Sequence, residues 1–393
     1  MVPKGWSSSL LGEIMSFKNG LNFTKTDNGD SVKIVGVGDF KDLSELSSTE
    51  HLELISVAGR IRDEELLNNG DLLFVRSNGN KDLIGRCMFF PEVRERLSFS
   101  GFTIRGRVIN ESTLPAYMAI VARSSQFQMQ ISKASGGTNI SNLSQQILND
   151  INLLLPPLIE QKKIAEILST WDKAISVTEK LLANSQRQKK ALMQQLLTGK
   201  KRLLNENGVR FNGKWEKKLL SDVADVYQPK TISQSMMSDS GYPVYGANGV
   251  IGFYQEFNHE TEQIAVTCRG STCGIVNWTQ AKSWITGNAM VINTDNYSYV
   301  SKKFLFYTLN GSDLKYLISG SGQPQITGNI KTHIINLPCI EEQQKIATVL
   351  SAADAEIYTL EKKLACLRDE KKALMQQLLT GKRRVKVDEA VAE

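Results

Sequence analysis

Apolar positions along this chain follow two rhythms. In two long stretches they step by fours and threes. Ile164, Leu168, Trp171, Ile175, Thr178, Leu182, Ser185, Lys189, Leu192 and Leu196 form one series. Ile346, Leu350, Ala353, Ile357, Leu360, Leu364, Leu367, Lys371, Leu374 and Leu378 form the other. A step of about 3.5 residues held over four heptads marks a coiled-coil seam. Pro156, Pro157 and Pro338 stand where each helix begins, and a missing N–H costs little there. Gly199 and Gly381 stand just past the last seam leucine, where a left-handed cap suits glycine. The pattern predicts a helix from about Gln161 to Thr198, ~57 Å long. Lysine takes one seam position in each series, weakening the pairing while fixing its register. The rest of the chain is glycine-punctuated and carries short β-type runs such as "LLFVRSNGN" and "IAVTCRGST".

The two helical stretches are copies. "KKALMQQLLTGK" occurs at Lys189–Lys200 and again at Lys371–Lys382, an offset of 182 (371 − 189). At the same offset "LPPLIEQKKIAEILS" from Leu155 matches "LPCIEEQQKIATVLS" from Leu337, and Asp172 and Glu179 match Asp354 and Glu361. The stretches before the helices repeat more faintly. Trp6 pairs with Trp215 at offset 209, Ile34 with Val244 at 210, Arg76 with Arg269 at 193 and Gly101 with Gly287 at 186. The second stretch is thus a cousin of the first, shorter by 27 residues (209 − 182), and the losses fall in loops. The expected fold is α+β. It has two related mixed domains, 1–155 and 201–337, two spacer helices, 156–200 and 338–382, and a tail, 383–393. The helices are expected to pair antiparallel as a coiled coil with internal pseudo-two-fold symmetry.

Composition narrows the function. Of 393 residues, 41% are hydrophobic, so real cores are available. Net charge is +6, compatible with a nucleic-acid partner without requiring one. No early apolar run reads as a leader, and no stretch approaches the roughly 18 apolar residues of a membrane span. Cytoplasmic location and no membrane partner are expected. Cys87, Cys268, Cys273, Cys339 and Cys366 include no C-x-x-C pair, so no metal site is expected. His51, His259 and His333 are isolated. No phosphate loop, dinucleotide fingerprint or N-P-P-[YF] tetrapeptide occurs, so no catalytic residue is assigned.

Two copies of "LPPLIEQKKIAEIL…KKALMQQLLTGK" separating two variable domains resemble the specificity subunit of type I restriction–modification systems. The resemblance covers the whole chain. It implies that each domain is a target recognition domain reading one half of a bipartite duplex DNA site. The helices would set the spacing and dock two methyltransferase subunits, and motor–nuclease subunits would complete the complex. S-adenosylmethionine, ATP and Mg would belong to those partners, with no cofactor in this chain. Nothing homologous precedes Trp6, so the second helix is expected to close the circle. Base readout needs Arg for guanine and Asn or Gln for adenine. Candidate contacts in the first domain are Arg76, Asn78, Asn80, Lys81 and Arg86, with Thr138, Asn139 and Asn142 in the loop before the helix. In the second they are Tyr245, Asn248, Arg269, Ser271 and Thr272, with Gln323, Gln325 and Thr327 before the helix. Arg76 and Arg269 lead because they recur at matching places. A regulatory DNA-spacing protein of the same duplicated plan is the alternative.

Overall fold

The computed structural model describes residues 2–40, 44–46, 48–134, 142–247, 249–320 and 324–387. It divides into two compact units, Met1–Val177 with Leu364–Glu393, and Thr178–Lys363. Each unit takes the first half of one long helix and the second half of the other. Sequence reading instead sets the helices apart from the domains. The reason is packing: Ile164 and Leu168 share a core with Leu378 and Leu379, and Ile346 and Leu350 share one with Leu196.

The first unit contains β1 (Ser7–Leu10), α1 (Leu11–Ile14), β2 (Met15–Asn19), β3 (Lys25–Val35), β4 (Leu54–Val57), β5 (Asp71–Val75), β6 (Cys87–Phe90), β7 (Leu97–Phe99) and β8 (Thr103–Val108). Helices α2 (Pro115–Ala122), α3 (Ser125–Ala134) and α4 (Gln145–Asn149) lead to β9 (Asn152–Leu155) and the long α5 (Leu158–Leu196). The strands make three sheets, ordered β2-β8-β5-β6, β4-β3-β7 and β1-β9. All pairs are antiparallel except β3 with β7. Every residue of β5 is buried, as its unbroken apolar run after Asp71 requires of a strand bonded on both sides.

The second unit repeats this plan. It has β10 (Glu216–Leu219), α6 (Leu220–Val223), β11 (Asp225–Tyr227), β12 (Tyr242–Gly246), β13 (Gly249–Tyr254), β14 (Ile264–Thr267), β15 (Val276–Trp278), β16 (Trp284–Ile285) and β17 (Ala289–Asn293). Then come α7 (Lys302–Asn310), β18 (Ile334–Leu337) and the long α8 (Ile340–Leu379). Its sheets run β11-β17-β14-β15, β13-β12-β16 and β10-β18, the same orders strand for strand. Here too only one pair, β12 with β16, is parallel.

Within each unit the half-helices run antiparallel. In the first, Asp172 meets Lys371 and Glu160 meets Arg384. In the second, Lys189 meets Asp354, Ser185 donates to Glu356 and Arg202 meets Glu342. The seam lysines are therefore satisfied by the repeated aspartates. All the predicted seam positions are buried or half-buried: Ile164, Leu168, Trp171, Ile175, Leu182, Leu192, Leu196, Ile346, Leu350, Ile357, Leu364, Leu374 and Leu378. The first long helix begins at Leu158, ahead of the expected Gln161, and the second at Ile340, directly after Pro157 and Cys339 respectively. Gly199 and Gly381 have φ of 69° and 68°, and Lys201 and Arg383 donate back to Gln195 and Gln377. That is the left-handed cap glycine permits.

Two buried polar clusters fasten each helix to its domain. Gln161 and Gln343, both fully buried, follow the helix starts. Gln161 accepts from Leu114 N and donates to Ser112 O and Pro156 O. Gln343 accepts from Ser301 N and donates to Tyr299 O and Pro338 O. One residue before each stands a glutamate. Arg202 grips Glu342 with two bonds of 2.6 Å, Trp215 donates to it at 3.2 Å, and the guanidinium lies 5.6 Å from the indole centre. Arg384, Glu160 and Trp6 make the same cluster, with Arg384 also donating to Lys4 O. Each glutamate raises the pKa of its arginine. Within the segment read as a tail, Arg384 bonds Glu160 and half-buried Val385 packs against the first unit's core.

Candidate nucleic-acid interface

The repeated ladders allow the two domains to be superposed residue by residue. Val35 pairs with Phe99, and Tyr245 with Ile285. Ser100 N donates to Val35 O, and Thr286 N to Tyr245 O. These fix offsets of 210 for β3/β12 and 186 for β7/β16, as Ile34/Val244 and Gly101/Gly287 predict. In the central sheets Val75 pairs with Thr103, and Thr267 with Ala289.

That register moves one expected match. Arg76 N donates to Phe102 O and Arg76 O accepts from Leu143 N. At the corresponding points Cys268 N donates to Asn288 O and Cys268 O accepts from Ile326 N. Arg76 therefore occupies the place of Cys268, and Arg269 that of Ser77. The shared R in "FVR" and "TCR" pulls the sequence alignment off by one. Successive strand residues face opposite sides, so the two arginines do not leave the sheet at equivalent points. Cys268 is fully buried, and burial raises its thiol pKa.

In both domains three segments converge at the end of the central strand. They are the turn after that strand, the turn before β8 or β17, and the loop before the helix start. In the first domain this joins Arg76 and half-buried Asn78 to Phe102, which is 61% exposed, and to exposed Asn142. The Arg76 guanidinium reaches Gly101 O at 3.5 Å. Asn78 and Asn80 use their side-chain oxygens to hold the turn, accepting from Asn80 N and Asp82 N. Lys81 is exposed and Arg86 half-buried on the same turn. A cleft of about 680 Å³ opens beside it, lined by Phe23, Asp39, His51, Ser77, Asn78 and Phe102 among others. His51 Nε2 lies 3.8 Å from Asp39 Oδ1 there. Neither Phe102 nor His51 stands out in the sequence, because one lone aromatic or histidine carries no pattern.

In the second domain exposed Arg269 bridges Gln325 through the backbone, and Gly270 N donates to Pro324 O. Exposed Ser271 and Thr327 and half-buried Thr272 complete that surface. Tyr245 is a correction. It is only 7% exposed, packs with Ala265, Ile285, Ala289 and Val291, and its hydroxyl accepts from Gln280 N. The strand's alternation turns it into the core, away from the loops. Thr138, Asn139, Asn248 and Gln323 lie outside the described residues.

No group of three or more His, Cys, Asp or Glu among the described residues could hold a metal ion. No described helix is long and apolar enough to cross a membrane.

Comparison with known proteins agrees with the duplication. The model of the type I restriction modification DNA specificity domain matches residues 3–184 and again 212–366. The chain belongs to this family and is a specificity subunit built from two such domains. It is 24% identical to the MjaVIII specificity subunit of Methanocaldococcus jannaschii, covering 98% of this chain and 94% of that one. Against the EcoKI specificity subunit of Escherichia coli identity is 22%, with 92% and 85% covered. The crystal structure of the type I restriction–modification S subunit from M. genitalium superposes with a TM-score of 0.66, covering 96% of each chain at 14% identity. At that identity the likeness concerns the fold.

Proposed function

We propose that each domain reads one half of a bipartite duplex DNA site through the surface at the end of its central strand. The carrying observation is that the same three segments converge there twice, each time with polar side chains and an arginine. Phosphate contacts would position the duplex and base-edge contacts would select it. Arg76, Asn78 and Asn142 act on one half-site, and Arg269, Gln325 and Thr327 on the other. Two half-sites on one face of DNA lie about 34–36 Å apart, within reach of helices of 39 and 40 residues.

The chain itself performs no chemistry in this reading. It works in the cytoplasm within a multi-subunit complex, docking two methyltransferase subunits along the helices. Motor–nuclease subunits join them, and S-adenosylmethionine, ATP and Mg serve those partners. The test is selection of duplexes from a random library by the chain with its methyltransferase. The expected product is a motif of two short conserved blocks separated by an unspecified gap. A single uninterrupted block would sink the proposal, as would methyl transfer by the purified chain alone.

A further inference from the structure

The two units differ at one place where the domain meets the helices. In the second unit Tyr307 fills it. Tyr307 is fully buried, its hydroxyl donates to Asp354 at 2.6 Å and lies 3.1 Å from Ser351 Oγ, and Lys189 stands 5.8 Å from its ring centre. Gly311 closes the space behind it. A Cβ there would come within 3.3 Å of Leu197 and 3.4 Å of Met193.

The first unit has no such plug. The glutamine clusters equate Leu114 with Ser301, so Ile120 stands where Tyr307 does and Ser124 where Gly311 does. A pocket of about 440 Å³ remains, floored by Ile175, Met375 and Leu379 and lined by Asp172, the equivalent of Asp354. Around it stand Arg123, Arg368, Lys371 and Lys372, four cations against one carboxylate. The helix offset of 182 places Gln186 at the position of Arg368, and the α2/α7 match places Asn310 at that of Arg123. The open pocket is therefore also the more basic one.

We propose that this pocket receives a tyrosine side chain carried on an acidic segment of a partner protein. The phenol would lie over the floor as Tyr307 does in its own unit, its hydroxyl donating to Asp172. The flanking carboxylates would meet the arginine and lysine rim, where charge-assisted bonds add strength and orientation. This inference rests on the reading that a partner docks along the helices. It adds that the two docking faces are unequal, because one is already plugged.

The probe is an acetylated Glu-Tyr-Glu tripeptide amide with a fluorinated tyrosine ring, titrated into the full chain and followed by fluorine NMR. One site is expected in the parent protein, none in Ile120→Tyr and two in Tyr307→Ile. A Glu-Ala-Glu competitor should bind about ten-fold more weakly. Arg368→Gln, which leaves the core untouched, should weaken the tripeptide several-fold and make the remaining binding less sensitive to salt. Unchanged binding in a folded Ile120→Tyr protein, or an equally strong alanine competitor, overturns the proposal. The second arm counts methyltransferase copies on the parent and on Ile120→Tyr. Measured by titration, unequal binding steps in the parent that become equally weak in Ile120→Tyr support the pocket as a docking point, and two copies held at parental affinities exclude it. A parent that binds no methyltransferase would fail the docking reading itself, and the tripeptide titration would then decide the pocket alone.

Discussion

The central sheet of the first domain is charged where that of the second is neutral. Asp71, fully buried, accepts two 2.7 Å bonds from Arg107, while Arg105 is 5% exposed and donates to Glu64 O and Leu66 O. Burial and the neighbouring Arg107 hold the Arg105 pKa below its ordinary value. The ladder places Gln263, Val291 and Asn293 at these three points. Identical strand orders therefore tolerate opposite interior chemistry. The fold needs the backbone ladder and the helix junctions, while the residues between them are free to diverge.

The sharpest test of that difference is Asp71→Asn. Removing the buried carboxylate takes from Arg107 its charged partner, costing about 3 kcal/mol. Gln263→Ala, at the equivalent point, loses ordinary hydrogen bonds and should cost about 1 kcal/mol. Hydrogen exchange of β5 and β14 amides would read each domain separately. Equal losses would show that the charged cluster contributes nothing special.

Where the units agree, variants should agree. Glu160→Ala and Glu342→Ala each leave an arginine and an indole without their shared acceptor. Charge-assisted bonds of this kind are worth about 1.5–3 kcal/mol, and the two losses should match within about 0.5 kcal/mol. A large inequality in chemical denaturation would break the equivalence of the junctions.

Recognition should separate the domains by target. Arg76→Ala and Arg269→Ala should each relax preference at a different half-site, by about 1–3 kcal/mol where the arginine reads guanine. A uniform loss with a shallower salt dependence would reassign that arginine to a phosphate.

The smallest expected difference is one of pH. Burial lowers the pKa of His259 and His333, both in the second domain, below the ordinary 6.5. The unfolded chain then binds protons that the folded one refuses. Stability from these histidines is full above that value and falls as the pH drops below it. The first domain has Asp30 instead, held at about 2 by Arg96. Its contribution persists until the pH falls below the ordinary carboxylate value of 3.8 and is lost toward 2. Between pH 6.5 and 4, exchange protection should fade in β14 before β5. Simultaneous fading would count against this assignment, and His333→Gln should reduce the gap.

The long helices were legible because their seam repeats in both period and sequence, and a glycine can satisfy their left-handed caps. The domain plan was legible at Trp6/Trp215, where the indole N–H bonds a glutamate, and at Gly101/Gly287, where neighbouring atoms leave no room for a Cβ. It failed at Arg76/Arg269, since matching side chains say nothing about which of two adjacent strand positions aligns. Tyr245 failed for a related reason: its side chain suits either face, and only the sheet decides. The Glu160 and Glu342 clusters were readable in principle, as buried polar pairs recurring at the helix offset beside Trp6 and Trp215. Their arginine partners, though, come from distant parts of the chain. The unplugged pocket depends on one substitution, Ile120 for Tyr307, in helices too dissimilar to align without the fold.

The sharing of half-helices also orders events during synthesis. The second unit needs nothing beyond Lys363, whereas the first needs Leu364 onward, including Leu378, Leu379 and Arg384. Translation at about 5–20 residues per second delivers the first domain's strands early. Yet that unit stays unfinished until after its younger counterpart is whole. A message broken between codons 364 and 378 would release a chain with a sound second domain and an open seam at Ile164 and Leu168. Such a product would be marked for disposal by the exposed surface of its oldest part.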